Sequence, residues 1–207
     1  MPLPQETKRR NRKVKELKYS CPYCLAVFGR IESLKNHVIL EHESEPLPVP
    51  EGMITLTING ERYELIVEPE WTLYYLLHDK MGFTGAKMFC DRGACGSCTV
   101  IVEGRPILSC MTLAIECDGK SIETVEGIAK NKHPLVESYV KHHCMQCGYC
   151  TPGFVVTAKA LLDKNADPNE HEIMEALDGN LCRCGTYPQH PKAVLEAAEV
   201  LRKGKGD

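Results

Sequence analysis

Cys90, Cys95, Cys98 and Cys110 fall in the pattern C-x4-C-x2-C followed by a later cysteine, within the stretch CDRGACGSCTVIVEGRPILSC. This is the spacing by which four thiolates hold a [2Fe–2S] cluster. Two irons bridged by two sulfides need four sulfurs closing on one small volume, so three of them must come from one tight loop. Gly93 and Gly96 between the cysteines let that backbone turn through positive φ and come close to the sulfides. Cys110 returns after a strand-like run over Thr99–Val102, a turn at Glu103-Gly104 and a second short run at Ile107-Leu108. The competing readings are a disulfide framework, which belongs to an exported chain, and a zinc ribbon, which pairs two C-x2-C units.

A second set lies near the C-terminus. Cys147 and Cys150 form C-x2-C, and Cys182 and Cys184 form C-x-C. Each pair is expected just ahead of a helix start, where free N–H groups and the positive end of the helix favour thiolates. Two thiolates from each pair would hold one further [2Fe–2S] cluster, and the same spacing also admits a single zinc.

A third set is Cys21, Cys24, His37 and His42, spaced C-x2-C-x12-H-x4-H, with Phe28 and Leu34 between. It resembles the C2H2 zinc-finger family over residues 19–42. The resemblance implies a ββα unit closed by one structural zinc on two thiolates and two imidazoles, without which so small a unit does not fold. It also places Arg30, Ser33 and Asn36 at the base-reading positions of the helix. One finger spans only about three base pairs, so a docking or stabilising role is preferred over specific DNA binding.

The elements that must position these residues follow from composition and periodicity. Twelve cysteines are far more than a plain globular domain carries, and 43% hydrophobic content with no long apolar run fits a chain that does not span a membrane. The basic run KRRNRK at 8–13 lacks the apolar stretch that an export signal needs after its charged start, so metal is preferred to disulfides and the expected location is cytoplasmic. The net charge of −3 divides into +5 over residues 1–42 and −8 over the rest, as if a basic segment had been added to an acidic core. Residues 1–18 read as a solvated arm. Residues 43–51, with three prolines, read as a semi-rigid linker.

From 52 to 128 the pattern is strand-like. Ile54, Leu56 and Ile58 alternate with polar residues, Asn59-Gly60 marks a hairpin, and Tyr63, Leu65 and Val67 continue it. Thr72 caps an expected helix running to about Lys80, with Leu73, Leu76 and Leu77 on one face and Gly82 past its end. Together with the cysteine loop this predicts a β-grasp like that of plant-type ferredoxins. His78 is expected on the helix's solvent side or shielding the cluster, and Cys117 as a small buried hydrophobe.

From 129 to 207 the period becomes helical. The first helix carries Leu135, Val136 and Val140, and the second follows Thr151-Pro152 with Val155, Ala158 and Leu162 inward. The third is opened by Asp167-Pro168-Asn169-Glu170 with proline at the first helical position and ended by Gly179. The fourth carries Val194, Ala197, Ala198 and Leu201. Four helices with short connections predict a bundle. The fold class is therefore α+β: a zinc finger, a ferredoxin-like domain, then a helical-bundle domain.

The segments GFTGAKMFCDRGACGSCTV (82–100), ETVEGIA (123–129), HPLVESYVKHHCMQCGYCTPG (133–153) and ALDGNLCRCGTYPQHPKAV (176–194) together resemble one family. It is the small iron–sulfur subunit of the xanthine dehydrogenase, or molybdenum hydroxylase, enzymes. The resemblance spans nearly all of residues 52–205. It implies an electron-transfer subunit that passes electrons one at a time from a molybdopterin-binding large subunit to an FAD-binding medium subunit, with no substrate chemistry of its own. It implies that Cys147, Cys150, Cys182 and Cys184 ligate the cluster nearer the molybdenum cofactor, and that Gln146 and Cys184 lie closest to the pterin. This chain reads CRCGTY at 182–187 where many members read CRCTGY, and Cys144 stands at a position often small and is not counted as a ligand. The finger is not part of the usual subunit. A rival reading is a redox-responsive regulator in which the finger binds nucleic acid and the clusters sense; cluster motifs over most of the chain and the lack of a second finger argue against it.

Overall fold

The computed structural model describes residues 19–42, apart from 22 and 25, and residues 52–204. The basic run at 8–13 and the linker at 43–51 lie outside the described residues. The chain separates into two compact units, Met1–Pro50 and Glu51–Asp207.

In the first unit β1 (Tyr19–Ser20) pairs antiparallel with β2 (Val27–Phe28), and α1 runs over Ile31–His42. The Cys21 N–H donates to the Ala26 carbonyl at 2.7 Å, closing the knuckle between the strands. Phe28 packs on the ring of His37 with centroids 4.9 Å apart. So small a unit buries little else.

The second unit begins with the hairpin. β3 (Met53–Ile58) and β4 (Glu61–Ile66) pair in full register around Asn59 and Gly60, whose positive φ angles of 52° and 85° make the tight turn that Asn-Gly predicts. The turn also docks: Asn59 exchanges hydrogen bonds with Thr124, giving to its hydroxyl and receiving from its N–H. β5 (Thr99–Val102), β6 (Arg105–Leu108) and β7 (Ser121–Glu123) complete a five-stranded sheet in the order β4-β3-β7-β5-β6, with β7 parallel to β3.

Thr72 caps α2 (Leu73–Tyr75) through its hydroxyl, and the chain continues as one wide π-helical turn over Leu76–Lys80. Leu73, Leu76 and Leu77 are buried against Ile54, Leu56 and Ile58 of β3, as the spacing predicts. β5 is buried on both faces because its neighbours on either side are apolar. Val100 and Val102 enter this core, while Ile101, pointing the other way along the strand, enters the helical core.

The helical half contains α3 (Val125–Lys130), α4 (Pro134–Lys141), α5 (Thr151–Lys164), α6 (Glu170–Leu177) and α7 (His190–Lys203). α3 has no counterpart among the elements expected from the sequence and crosses residue 128; Ile128 is fully buried in the helical core. Three local expectations need correction. Val140 is 61% exposed, and Tyr139 takes the inward place on α4. Pro168 precedes the cap of α6 rather than opening the helix: Asn169 is the N-cap, in a reciprocal capping box with Glu172. Cys182 and Cys184 do not directly precede α7, because a 3-10 turn over Tyr187–Gln189 intervenes. Among the described residues no helix is long and apolar enough to cross a membrane.

Candidate metal centres

All twelve cysteines carry unbridged thiols. In the first unit the thiols of Cys21 and Cys24 and one ring nitrogen each of His37 and His42 lie within 4.8 Å of one another. Cys24 Sγ is 3.2 Å from His37 Nε2. Four atoms so close lie within reach of one ion bonded at ~2.0–2.3 Å. The side chain of Tyr23 stacks on His42 with ring centroids 4.6 Å apart, fixing that imidazole. Arg30, Ser33 and Asn36 are all exposed, alongside Glu32, Lys35 and Glu41.

In the second unit the loop over residues 90–98 folds back on itself because Asp91, Gly93 and Gly96 adopt positive φ. The amide of Ala94 donates to Cys90 Sγ at 3.2 Å. The Arg92 amide is the largest influence holding the Cys90 thiol down to about 7, with burial opposing and the Ala94 amide and Cys95 adding. Cys98 meets Cys110, and burial pushes its thiol up to about 11. The sulfurs therefore fall into two close pairs, Cys90 with Cys95 and Cys98 with Cys110. Ser109 fixes the second pair by donating its hydroxyl to the Cys98 carbonyl at 2.7 Å.

The helical set repeats this arrangement. Cys147 and Cys184 have sulfurs 3.6 Å apart, and Cys150 meets Cys182. Burial pushes the Cys150 thiol up to about 12. Burial also works to raise Cys182, but the hydroxyl and amide of Thr186, Cys150 and the Gly185 amide outweigh it and leave this thiol at about 7. Cys150 is the residue immediately before α5, so its pair stands at that helix's N-terminus as the sequence predicts. Each set thus joins a thiol disposed to ionise and one that keeps its proton until a metal displaces it. Two sulfur pairs with amide donors aimed at sulfur suit a two-iron cluster, and both sets fit.

The two loops are fastened to each other. Leu181 N–H donates to the Cys95 carbonyl at 2.9 Å. Next to it, the buried Asn180 side chain donates to the Gly96 carbonyl at 3.0 Å. Gly153 of α5 packs so close that a Cβ there would lie 2.4 Å from the same carbonyl. Tyr149 OH donates to the Met88 carbonyl at 2.7 Å, tying the helical cysteine loop to the start of the first one. Gln146 Nε2 reaches the Cys184 carbonyl at 3.5 Å, so those two residues do come together.

Asn180, Leu181, Thr186 and Tyr149 were not singled out from the sequence; adjacency to the cysteines was the available signal. Cys117 and Cys144 are fully buried, and burial raises both thiols. His78 stacks on Tyr74 and is half-buried.

Comparison with known proteins gives a consistent picture. A family model described as a 2Fe-2S iron-sulfur cluster binding domain matches residues 56–123, and one described as a [2Fe-2S] binding domain matches residues 124–195. The nicotine 6-hydroxylase small subunit of Paenarthrobacter nicotinovorans is 42% identical over 162 residues, covering 78% of this chain and 98% of that one. The nicotinate dehydrogenase small FeS subunit of Eubacterium barkeri is 45% identical over 148 residues, covering 70% and 94%. Among solved structures, quinoline 2-oxidoreductase from Pseudomonas putida 86 contains a chain that is 42% identical with a TM-score of 0.70. The match covers 73% of this chain and 96% of that chain.

Proposed function

Because the chain belongs to the family of small [2Fe–2S] subunits of molybdenum hydroxylases, we propose that its two cysteine sets are consecutive stations on one electron path. Its role is electron transfer, as the iron–sulfur component of an oxidoreductase. Cys90, Cys95, Cys98 and Cys110 hold one [2Fe–2S] cluster, and Cys147, Cys150, Cys182 and Cys184 hold the other. When bound, such a cluster takes up and returns one electron at a time.

The observation that carries the reading is the hydrogen bond from Leu181 to Cys95. Leu181 is bonded covalently to Cys182, so a ligand of one set connects to a ligand of the other through a few covalent bonds and one hydrogen bond. The chain's own work is to hold the two sets at fixed separation. Asn180, Gly96 and Gly153 interlock for that purpose, and the buried sulfurs of Cys95, Cys98, Cys110 and Cys182 keep water from much of the path. α4, α5, α6 and α7 are read as a four-helix bundle whose loops present the second set. Gln146 and Cys184 present the face where a molybdopterin-binding subunit docks, and an FAD-binding subunit receives the electrons, in a cytoplasmic complex.

Cys21, Cys24, His37 and His42 are assigned one structural zinc. On α1 and the residue before it, Glu32 and Glu41 offset Arg30 and Lys35, which favours docking to protein over binding a phosphate backbone. Salt-dependent binding to duplex DNA with Kd below about 1 µM at physiological salt would overturn that preference.

The test is purification of the tagged chain from its native host, followed by molybdenum, flavin and iron assay. Molybdenum and flavin should accompany the chain in fixed ratio, and an added reductant of the molybdenum centre should bleach the iron–sulfur absorbance. Iron without any molybdenum- or flavin-containing partner overturns the reading.

A further inference from the structure

Thr186 and His190 lie behind the second set of sulfurs, and the electron path described above does not use them. Thr186 Oγ1 is 3.1 Å from Cys182 Sγ, and the Thr186 amide approaches the same sulfur at 3.5 Å. On its other side, Thr186 Oγ1 is 3.2 Å from His190 Nε2. All three side chains are buried, with exposures of 7% for Cys182, 3% for Thr186 and 1% for His190. His190 is held flat against Phe154, ring centroids 4.0 Å apart, so the imidazole cannot swing away.

The direction of these hydrogen bonds follows from counting protons. A metal-bound Cys182 is a thiolate and has none to give, so the proton between it and Thr186 is the threonine's only hydroxyl proton. Thr186 Oγ1 can then only accept from His190, which requires the proton on Nε2. Nδ1 of His190 is buried with no hydrogen-bond partner. With the proton on Nε2, that orphan is a bare acceptor. In the other tautomer it would be a buried N–H with no acceptor, a group that proteins rarely leave unpaired. Both ends of the chain select the same tautomer.

We propose that Thr186 and His190 are a positioning pair that sets the reduction potential of the second cluster: His190 Nε2–H, donating to Thr186, holds the threonine hydroxyl proton on Cys182 Sγ. The proposal rests on Cys182 being a cluster ligand. A hydrogen bond to sulfur stabilises the extra negative charge of the reduced state and raises the potential, more so where water is excluded. The other cysteines of this set have no hydroxyl on their sulfur among the described contacts. The second cluster is thereby made easier to reduce than it would be without that bond, and the first is left unchanged.

The experiment is an EPR-monitored redox titration of the full chain with its clusters in place, comparing wild type with Thr186→Val, Thr186→Ser and His190→Phe. Thr186→Val should lower the oxidised-to-reduced midpoint of one signal by about tenfold in the redox ratio, or ~59 mV for one electron, leaving the other signal unmoved. Thr186→Ser, which keeps the hydroxyl, should restore the wild-type midpoint. His190→Phe keeps the aromatic stack and should shift the same signal in the same direction by less. Two signals present but neither displaced in Thr186→Val overturns the proposal alone. A single signal in the wild-type protein overturns the ligand assignment beneath it.

Discussion

Replacing Gly153 by alanine tests the fastening of the two cysteine loops at its tightest point. The new methyl would sit 2.4 Å from the Gly96 carbonyl oxygen, 3.1 Å from Asn180 Nδ2 and 3.1 Å from Ser97 Cα. The first and last of these are backbone atoms, and the Gly96 carbonyl is already held by Asn180 at 3.0 Å and by the Thr99 hydroxyl at 2.7 Å. Relief therefore requires the 95–98 loop to move away from α5. Overpacking of this kind costs about 1–3 kcal/mol. Loss of the buried Asn180 bond adds about 1–3 kcal/mol, and alanine's better helix propensity returns less than about 1 kcal/mol near a helix start. The net is about 1–6 kcal/mol, or a fall in Tm of about 2–24 °C for a chain of this size. Thermal unfolding followed by circular dichroism, on the metal-loaded chain at one scan rate, measures it. Gly179→Ala is the matched control, since a methyl there meets nothing within 4 Å. A Gly153→Ala Tm equal to that of the control would refute the interlock.

Three further outcomes follow from individual contacts. Asn169→Ala removes half of the capping box on α6 and should cost about 0.5–2 kcal/mol, read as a lower urea midpoint; an unchanged midpoint contradicts the cap. Burial lowers His190 from the usual 6.5 to about 4, so the unfolded chain takes up this proton first as pH falls. The stability that its neutrality confers is complete above about pH 6.5 and is lost on the way down to about pH 4. Between pH 7.5 and 5 the wild type should lose about 2 kcal/mol more than His190→Phe, and parallel pH curves would contradict this. Removing zinc with a chelator, or Cys21→Ser, should unfold residues 19–42 while leaving the iron–sulfur absorbance intact. NMR of the isotopically labelled chain detects this, and a finger spectrum unchanged by metal loss rules the zinc assignment out.

The parts of this protein that depend on local spacing are legible in its sequence. Asn59-Gly60, the Leu73/Leu76/Leu77 face and the inward residues of α5 and α7 are all decided by neighbours within one or two turns, and each lies where its period places it. The four atoms of Cys21, Cys24, His37 and His42 converge as their spacing implies. Local spacing does not decide positions whose deciding partner is distant. α3 is short, and its place depends on Asn59 and on Glu126, whose carboxylate receives the Gly85 amide at 2.7 Å from 41 residues away. Val140 is apolar and in period, but Tyr139 wins the inward position by contact with His190 on α7. The contacts joining the two cysteine loops, from Asn180 and Leu181 to Gly96 and Cys95, span more than eighty residues and leave no periodic trace.

Iron and zinc content of the anaerobically purified chain, read together with EPR of the dithionite-reduced sample, tests the account most directly. The account predicts about four iron and one zinc per chain and two distinct S = 1/2 signals. About two iron and two zinc, with one signal, would put zinc on the helical cysteines, break the electron path at Cys182 and contradict it.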